Sequence, residues 1–184
     1  MRAGFLPKTG LALLVCVWLM PGTAAAKSAQ VIEAEVNSAL ERLFEMNKAA
    51  RELGQEAEGI LVFPDVTKGG FVIGGSYGVG ALRLNGTTEG YYKTTSGSIG
   101  LQVGIENRAE VLMFMTEEAL NDFRASENWE AGVDGSVSVV KAGASGELTT
   151  KTGQAPIVGF IFSNKGLFGG VSLEGAKISE YTPE

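Results

Sequence analysis

The sequence predicts an α+β fold: an antiparallel, glycine-rich β-sheet with barrel-like curvature, flanked by a few α-helices. Three observations carry this. Apolar residues recur at helical spacing up to Ala57 and switch to strict alternation after Gly59. Short turns separate the alternating segments, which suits antiparallel pairing because parallel strands need long crossovers. Glycine supplies 26 of 184 residues, and much of it falls on one face of the alternating segments.

The elements follow in order. Ile32, Val36, Leu40, Leu43 and Phe44 form one apolar stripe with Glu33, Glu35, Glu41 and Glu45 between them, an amphipathic helix that docks on the core. Asn47 is placed to cap a second, shorter helix through Ala50, Leu53 and Ala57. Residues 60–63 (ILVF) read as a short strand stopped by Pro64-Asp65. Over 71–82, Phe71, Ile73, Tyr77, Val79 and Ala81 face one side, and Gly74, Ser76, Gly78 and Gly80 the other. Asn85-Gly86 marks a two-residue hairpin turn. Alternation returns over 96–105 and 132–142. Residues 110–115 (EVLMFM) read as a buried strand. Thr116 then caps a short helix with Glu117 and Glu118 in its first turn and Leu120 and Phe123 inward. Residues 147–155 read as a loop, and 156–162 and 167–178 as closing strands.

A strand face of glycine and serine gives up packing. Something must press closely on it: a helix, a second sheet or a ligand. ILVFPDVTKGGFVIGGSYGVGA (60–81) and GFIFSNKGLFGGVSLEGA (159–176) also form a gapped repeat: apolar strand, turn ending in Lys-Gly, Gly-Gly strand. The repeat sets Lys68 and Lys165 in equivalent turns.

The N-terminus predicts an exported protein. Arg2 and Lys8 precede the apolar run Leu11–Met20, and Thr23-Ala24-Ala25-Ala26 offers small residues for cleavage before Lys27. The expectation is a signal peptide over 1–26 and a single domain over 27–184, in the periplasm or cell envelope. Val15 before Cys16 is a poor lipoprotein signal. Cleavage removes the one cysteine, and the chain has no histidine, so neither disulfide nor zinc chemistry is expected. Without Arg2 and Lys8, 13 basic residues face 21 acidic ones. That balance argues against nucleic acid as a partner, since phosphate backbones need a basic surface. The acid is concentrated in 27–58 and 106–134; residues 59–105 and 135–184 are near neutral.

Two motifs imitate enzymes. Gly74-Gly-Ser76-Tyr-Gly78 matches the nucleophile elbow, but it lies within an alternating strand and no histidine base exists. Ser138-Val-Val-Lys141 and Lys151-Thr-Gly153 match penicillin-binding signatures, but on a strand Ser138 and Lys141 point to opposite faces. Asp134 on the small-residue face reads as a hydrogen-bonded or solvated acid. Of Tyr91 and Tyr92, facing opposite ways, at least one belongs to the core. No enzymatic activity and no cofactor are expected; a carboxylate hydrolase would need a deep pocket around Asp134 or Glu174.

Four ordered motifs, GILVFPDVTKGGFVIGGSYGVGAL, GYYKTTSGSIGLQVGI, EVLMFMTEEALNDFR and SNKGLFGGVSLEGAKI, resemble the SYLF lipid-binding domain family over about residues 35–180. The resemblance implies binding of acidic phospholipids or phosphoinositides without catalysis, and actin binding in some eukaryotic members. The family's basic residues at the T-K-G-G and K-G-L turns correspond to Lys68 and Lys165. Any attraction to phosphate on so acidic a chain must be local, from Lys68 and Lys165 with Arg83 and Lys93, and apolar contact from Phe71 and Phe168. The alternative is an envelope protein-interaction or structural module docking through its acidic helix, residues 116–125.

Overall fold

In a computed structural model, the structure describes residues 27–69, 74–98, 107–140, 154–167 and 172–184. It is α+β, with a curled, mostly antiparallel sheet forming a half-barrel. Helices α1 (Ala29–Met46) and α2 (Lys48–Glu56) lead into strands β1 (Gly59–Gly69), β2 (Gly74–Leu84), β3 (Thr87–Ser98) and β4 (Arg108–Phe114). Helix α3 (Glu117–Ala125) follows, then β5 (Asn128–Glu130), β6 (Val137–Val140), β7 (Ile157–Ser163), β8 (Gly166–Leu167) and β9 (Lys177–Glu180). The sheet order is β5-β9-β3-β2-β1-β4-β7-β6, with β8 paired to β7.

Connectivity forces the curl. β5 and β6 lie at opposite edges of the eight-strand path, yet only residues 131–136 join them. Seven interstrand gaps would hold the edges of a flat sheet roughly 34 Å apart. Seven residue steps reach at most about 25 Å. The edges must therefore bend toward each other. They meet where the buried Trp129 of β5 packs so closely that a Cβ on Gly135 would lie 2.5 Å from its ring.

The curl divides the apolar residues into two cores. The inner one gathers Leu61, Phe63, Leu82, Leu112, Phe114, Trp129, Ile161 and Ile178, closed by Leu120 and Phe123 of α3. The outer face of the sheet, with Val62, Ala81, Val111, Met113, Val158 and Phe160, is covered by Ile32, Val36, Ala39 and Leu43 of α1 and by Ala50 and Leu53 of α2. The expected caps are present. Ala50 N donates to Asn47 Oδ1 at 2.8 Å and Ala119 N to Thr116 Oγ1 at 3.2 Å. Asn85 and Gly86 hold φ of 50° and 80°, as their hairpin turn requires. Tyr91 packs toward the outer core and Tyr92 toward the inner.

Four expectations are corrected. First, Pro64-Asp65 does not stop the strand. β1 runs on to Gly69, because a bulge between Val62 and Asp65 takes up the residue that cannot donate to the ladder. Lys68 therefore lies within β1, opposite Ser76, and not in a turn. Second, at Gly78 and Gly80 it is the neighbouring strand β1, and not a helix or a second sheet, that presses on the glycine face of β2. The bulge itself fills the space: a Cβ on Gly80 would lie 1.8 Å from the Val62 carbonyl oxygen. Third, residues 132–134 form a turn, with Gly132 at φ 86°, and the strand begins only at Val137. That strand pairs with β7 in parallel, as the long connection between them allows. Fourth, the segment 167–178 is not one strand: residues 172–176 lie outside any strand, with a turn at 174–175, and β9 starts at Lys177. The expected strand over 96–105 lies outside the described residues after Ser98, and the loop 147–155 lies mostly outside them.

Candidate functional site

At one end of the half-barrel, β1, β4 and β7 finish side by side. Val66 of β1 stands opposite Arg108, and Ala109 opposite Phe162 of β7. β1 and β7 run in the same direction, so Lys68 and Lys165 both follow shortly beyond the level of Arg108, two strands apart. The interstrand spacing sets their backbones roughly 10 Å from each other. Lys165 is exposed in the turn that joins β7 to β8, where its N–H donates to Ser163 Oγ at 3.1 Å and the next residue, Gly166, takes φ 116°.

Between these strands and α1 lies a cleft of about 720 Å³, whose lining includes Arg42, Asp65, Arg108, Phe162, Asn164 and Lys165. Arg42 projects from α1 to hydrogen-bond Asn164 Oδ1, and its guanidinium carbon lies 6.0 Å from the centre of the Phe162 ring. Arg108 is buried and its Nε donates to Glu110 Oε1 at 2.7 Å. Burial pushes the Glu110 carboxyl above its ordinary value, against the opposing pull of Arg108. Arg42 and Lys165 thus line the cleft together with Asp65, while the Arg108 side chain pairs with Glu110 on the inner face of β4. Such a wall can hold a singly or doubly charged oxyanion by charge-assisted hydrogen bonds.

The structure brings together only part of the expected set. Lys165 lines the cleft; Lys68 lies at the same end of the sheet, with only its backbone described. Phe71 and Phe168 lie outside the described residues. Arg83 is not brought near: seven residues along β2 separate it from the level of Lys68, roughly 23 Å. There its Nη2 donates to Glu33 Oε2 at 2.6 Å and to Asn37 Oδ1 at 2.9 Å, fastening α1 to the sheet. Burial alone would raise the Glu33 carboxyl, but hydrogen bonds, including that from Tyr91, and the Arg83 guanidinium hold it below its usual value. A second groove of about 650 Å³, with Leu40, Phe44 and Ile60 in its lining, has Arg83 at its edge. Lys93 sits mid-strand in β3, between Val79 and Ser179. Asp134 is exposed and accepts the Glu130 N–H at 2.7 Å.

Arg42 and Arg108 are the residues that sequence reading passed over. Arg42 is indistinguishable from any polar-face residue of an amphipathic helix. Arg108 carries a signal: in RAEVLMF, alternation puts Arg108 and Glu110 on one face of a strand that is buried throughout. Opposite charges two apart inside an apolar strand announce a buried pair.

Among known proteins, residues 95–184 match the family model Ysc84, described as a Las17-binding protein actin regulator. No curated protein matches the chain. The matched half is not a unit apart, since β1 and β2 lie between β3 and β4 in the one sheet. The four sequence motifs, the α+β half-barrel and this match agree, and the chain carries, over residues 95–184, a domain of the Ysc84 (SYLF) family.

Proposed function

We infer that the protein is a non-enzymatic phospholipid-binding module, exported to the cell envelope, that grips acidic head groups at the end of its half-barrel. The observation that carries this reading is the cleft lined by Arg42 and Lys165 on a chain that is otherwise acidic. A head-group phosphate held there would take its hydrogen bonds from the Arg42 guanidinium and the Lys165 ammonium group. The β7–β8 turn and the end of β1 would face the lipid surface. Among the described residues no helix is long and apolar enough to cross a membrane, so the reading is of contact at the surface.

A second reading comes from the family description, whose named partner is a protein. Here α3 presents Glu117, Glu118 and Asp122 to solvent, a face suited to a basic protein surface. Co-sedimentation with vesicles separates the two. The protein is expected to bind phosphatidylglycerol vesicles, to ignore phosphatidylcholine vesicles, and to lose affinity as salt rises, because exposed charges are screened. Equal binding to both vesicles, or to neither, contradicts the head-group reading and leaves the acidic helix as the better candidate.

A further inference from the structure

The cleft beside α1 holds charges of both signs that are not paired with each other. Asp65 stands opposite Val79 of β2, and Val79, Ala109 and Phe162 all belong to the outer core, so Asp65 shares that face with them. Phe63 pairs with Glu110 and Val66 with Arg108, which sets the bulged Asp65 beside Ala109; Phe162 is opposite Ala109 on its other side. Asp65, Ala109 and Phe162 thus run across the cleft, the outer two backbones roughly 10 Å apart. Ala109 has no side chain beyond its Cβ, and the space between them stays open. On the β7 side the Arg42 guanidinium lies over Phe162, with Lys165 in the adjoining turn. Among the described residues neither Arg42 nor Asp65 stands in an ion pair. Arg42 donates to Asn164 Oδ1 and to the Ser38 carbonyl, and Asp65 accepts a long 3.5 Å bond from Thr67 Oγ1.

An anion alone would satisfy Arg42 and meet repulsion from Asp65; a molecule carrying both signs satisfies each. We propose that the cleft prefers a zwitterionic phosphodiester of a primary amino alcohol, of which ethanolamine is the simplest, with its phosphate on Arg42 and Lys165 and its ammonium on Asp65. A two-carbon link keeps the opposite charges of that head group close together, as a single cleft requires. The primary ammonium has N–H groups to donate to the carboxylate, and the trimethylammonium of choline has none. The proposal rests on the head-group reading above and names the head group. Acidic lipids draw the protein to the surface, and Asp65 selects among the phosphodiesters found there.

The test compares vesicles of equal phosphatidylglycerol content, made up with either phosphatidylethanolamine or phosphatidylcholine, so that their net charge is the same. Binding is expected to be about fivefold tighter with ethanolamine, the worth of one partly exposed ion pair. Asp65→Asn keeps an oxygen for Thr67 and is expected to bind both mixtures alike. Asp122→Asn, which removes the same charge from α3, is expected to keep the preference. Glycerophosphoethanolamine and glycerophosphocholine in solution, followed by amide NMR shifts, repeat the comparison without a lipid surface. There the ethanolamine-specific shifts are expected to centre on Asp65 to Thr67, which locates the contact if the variant does not fold. A preference that survives Asp65→Asn, one lost equally in Asp122→Asn, or vesicle binding with no preference overturns the proposal and leaves the head-group reading in place. Asp65-dependent binding of the soluble compound without vesicle binding overturns the membrane reading alone, and no binding of any probe overturns both.

Discussion

Replacing Gly80 by alanine is expected to destabilise the protein by about 3 kcal/mol or more, at the upper end of what overpacking costs. The new methyl would lie 1.8 Å from the Val62 carbonyl oxygen, 2.7 Å from its carbon and 2.9 Å from Phe63 Cδ1. Two of these three atoms are backbone, so no rotamer change relieves the clash. Nor can β1 retreat, because its far edge is paired to β4, Val62 against Val111. Gly97→Ala is the matched control. It is also a strand glycine, but no heavy atom lies within 4 Å of its would-be Cβ. That change is expected to be neutral or to stabilise by about 0.4–1 kcal/mol through the unfolded chain. Urea unfolding of the two variants reads the difference directly. Similar midpoints would contradict the close approach of the β1 bulge to β2.

The second large effect is on binding. Arg42→Glu with Lys165→Glu is expected to weaken association with phosphatidylglycerol vesicles by on the order of a hundredfold or more. A basic residue near an anionic surface contributes about 1 kcal/mol, and two reversals change the local charge by four. Both side chains lie outside the buried cores, so the fold is expected to persist. Lys48→Glu, on α2, removes only an exposed i,i+4 pair with Glu52 and is expected to change binding little. Quantitative co-sedimentation checks the pair of variants; equal losses for both would mean general charge and not the cleft.

What the sequence reveals about this fold follows the range of the forces involved. Local rules act within a few residues, so both α1 and α2, the Asn47 cap, the Asn85-Gly86 turn and the buried strand around Val111 are all legible in it. The bulge at Pro64 is not, because whether proline ends a strand or bends it depends on β2 and β4, which hold the flanking residues. The parallel pairing of β6 is hidden for the same reason. It depends on where the sheet's two edges meet, a property of the whole topology. The candidate site was half legible. The repeat pointed to Lys68 and Lys165, and strand register sets their backbones at one end of the sheet. It could not find Arg42, which enters only because α1 crosses the outer face to reach β7. Arg83 shows the opposite failure: a basic residue in a near-neutral segment, engaged by Glu33 on the helix above it.

The location of the lipid contact is the point on which the functional account depends, and backbone amide NMR shifts on titration with phosphatidylglycerol nanodiscs measure it. The cleft reading predicts the largest changes at Arg42, at Asn107 to Ala109 and at Ser163 to Lys165, with little at α3. Changes centred on Glu117, Glu118 and Asp122, or on the Glu33–Arg83 clasp, would contradict it.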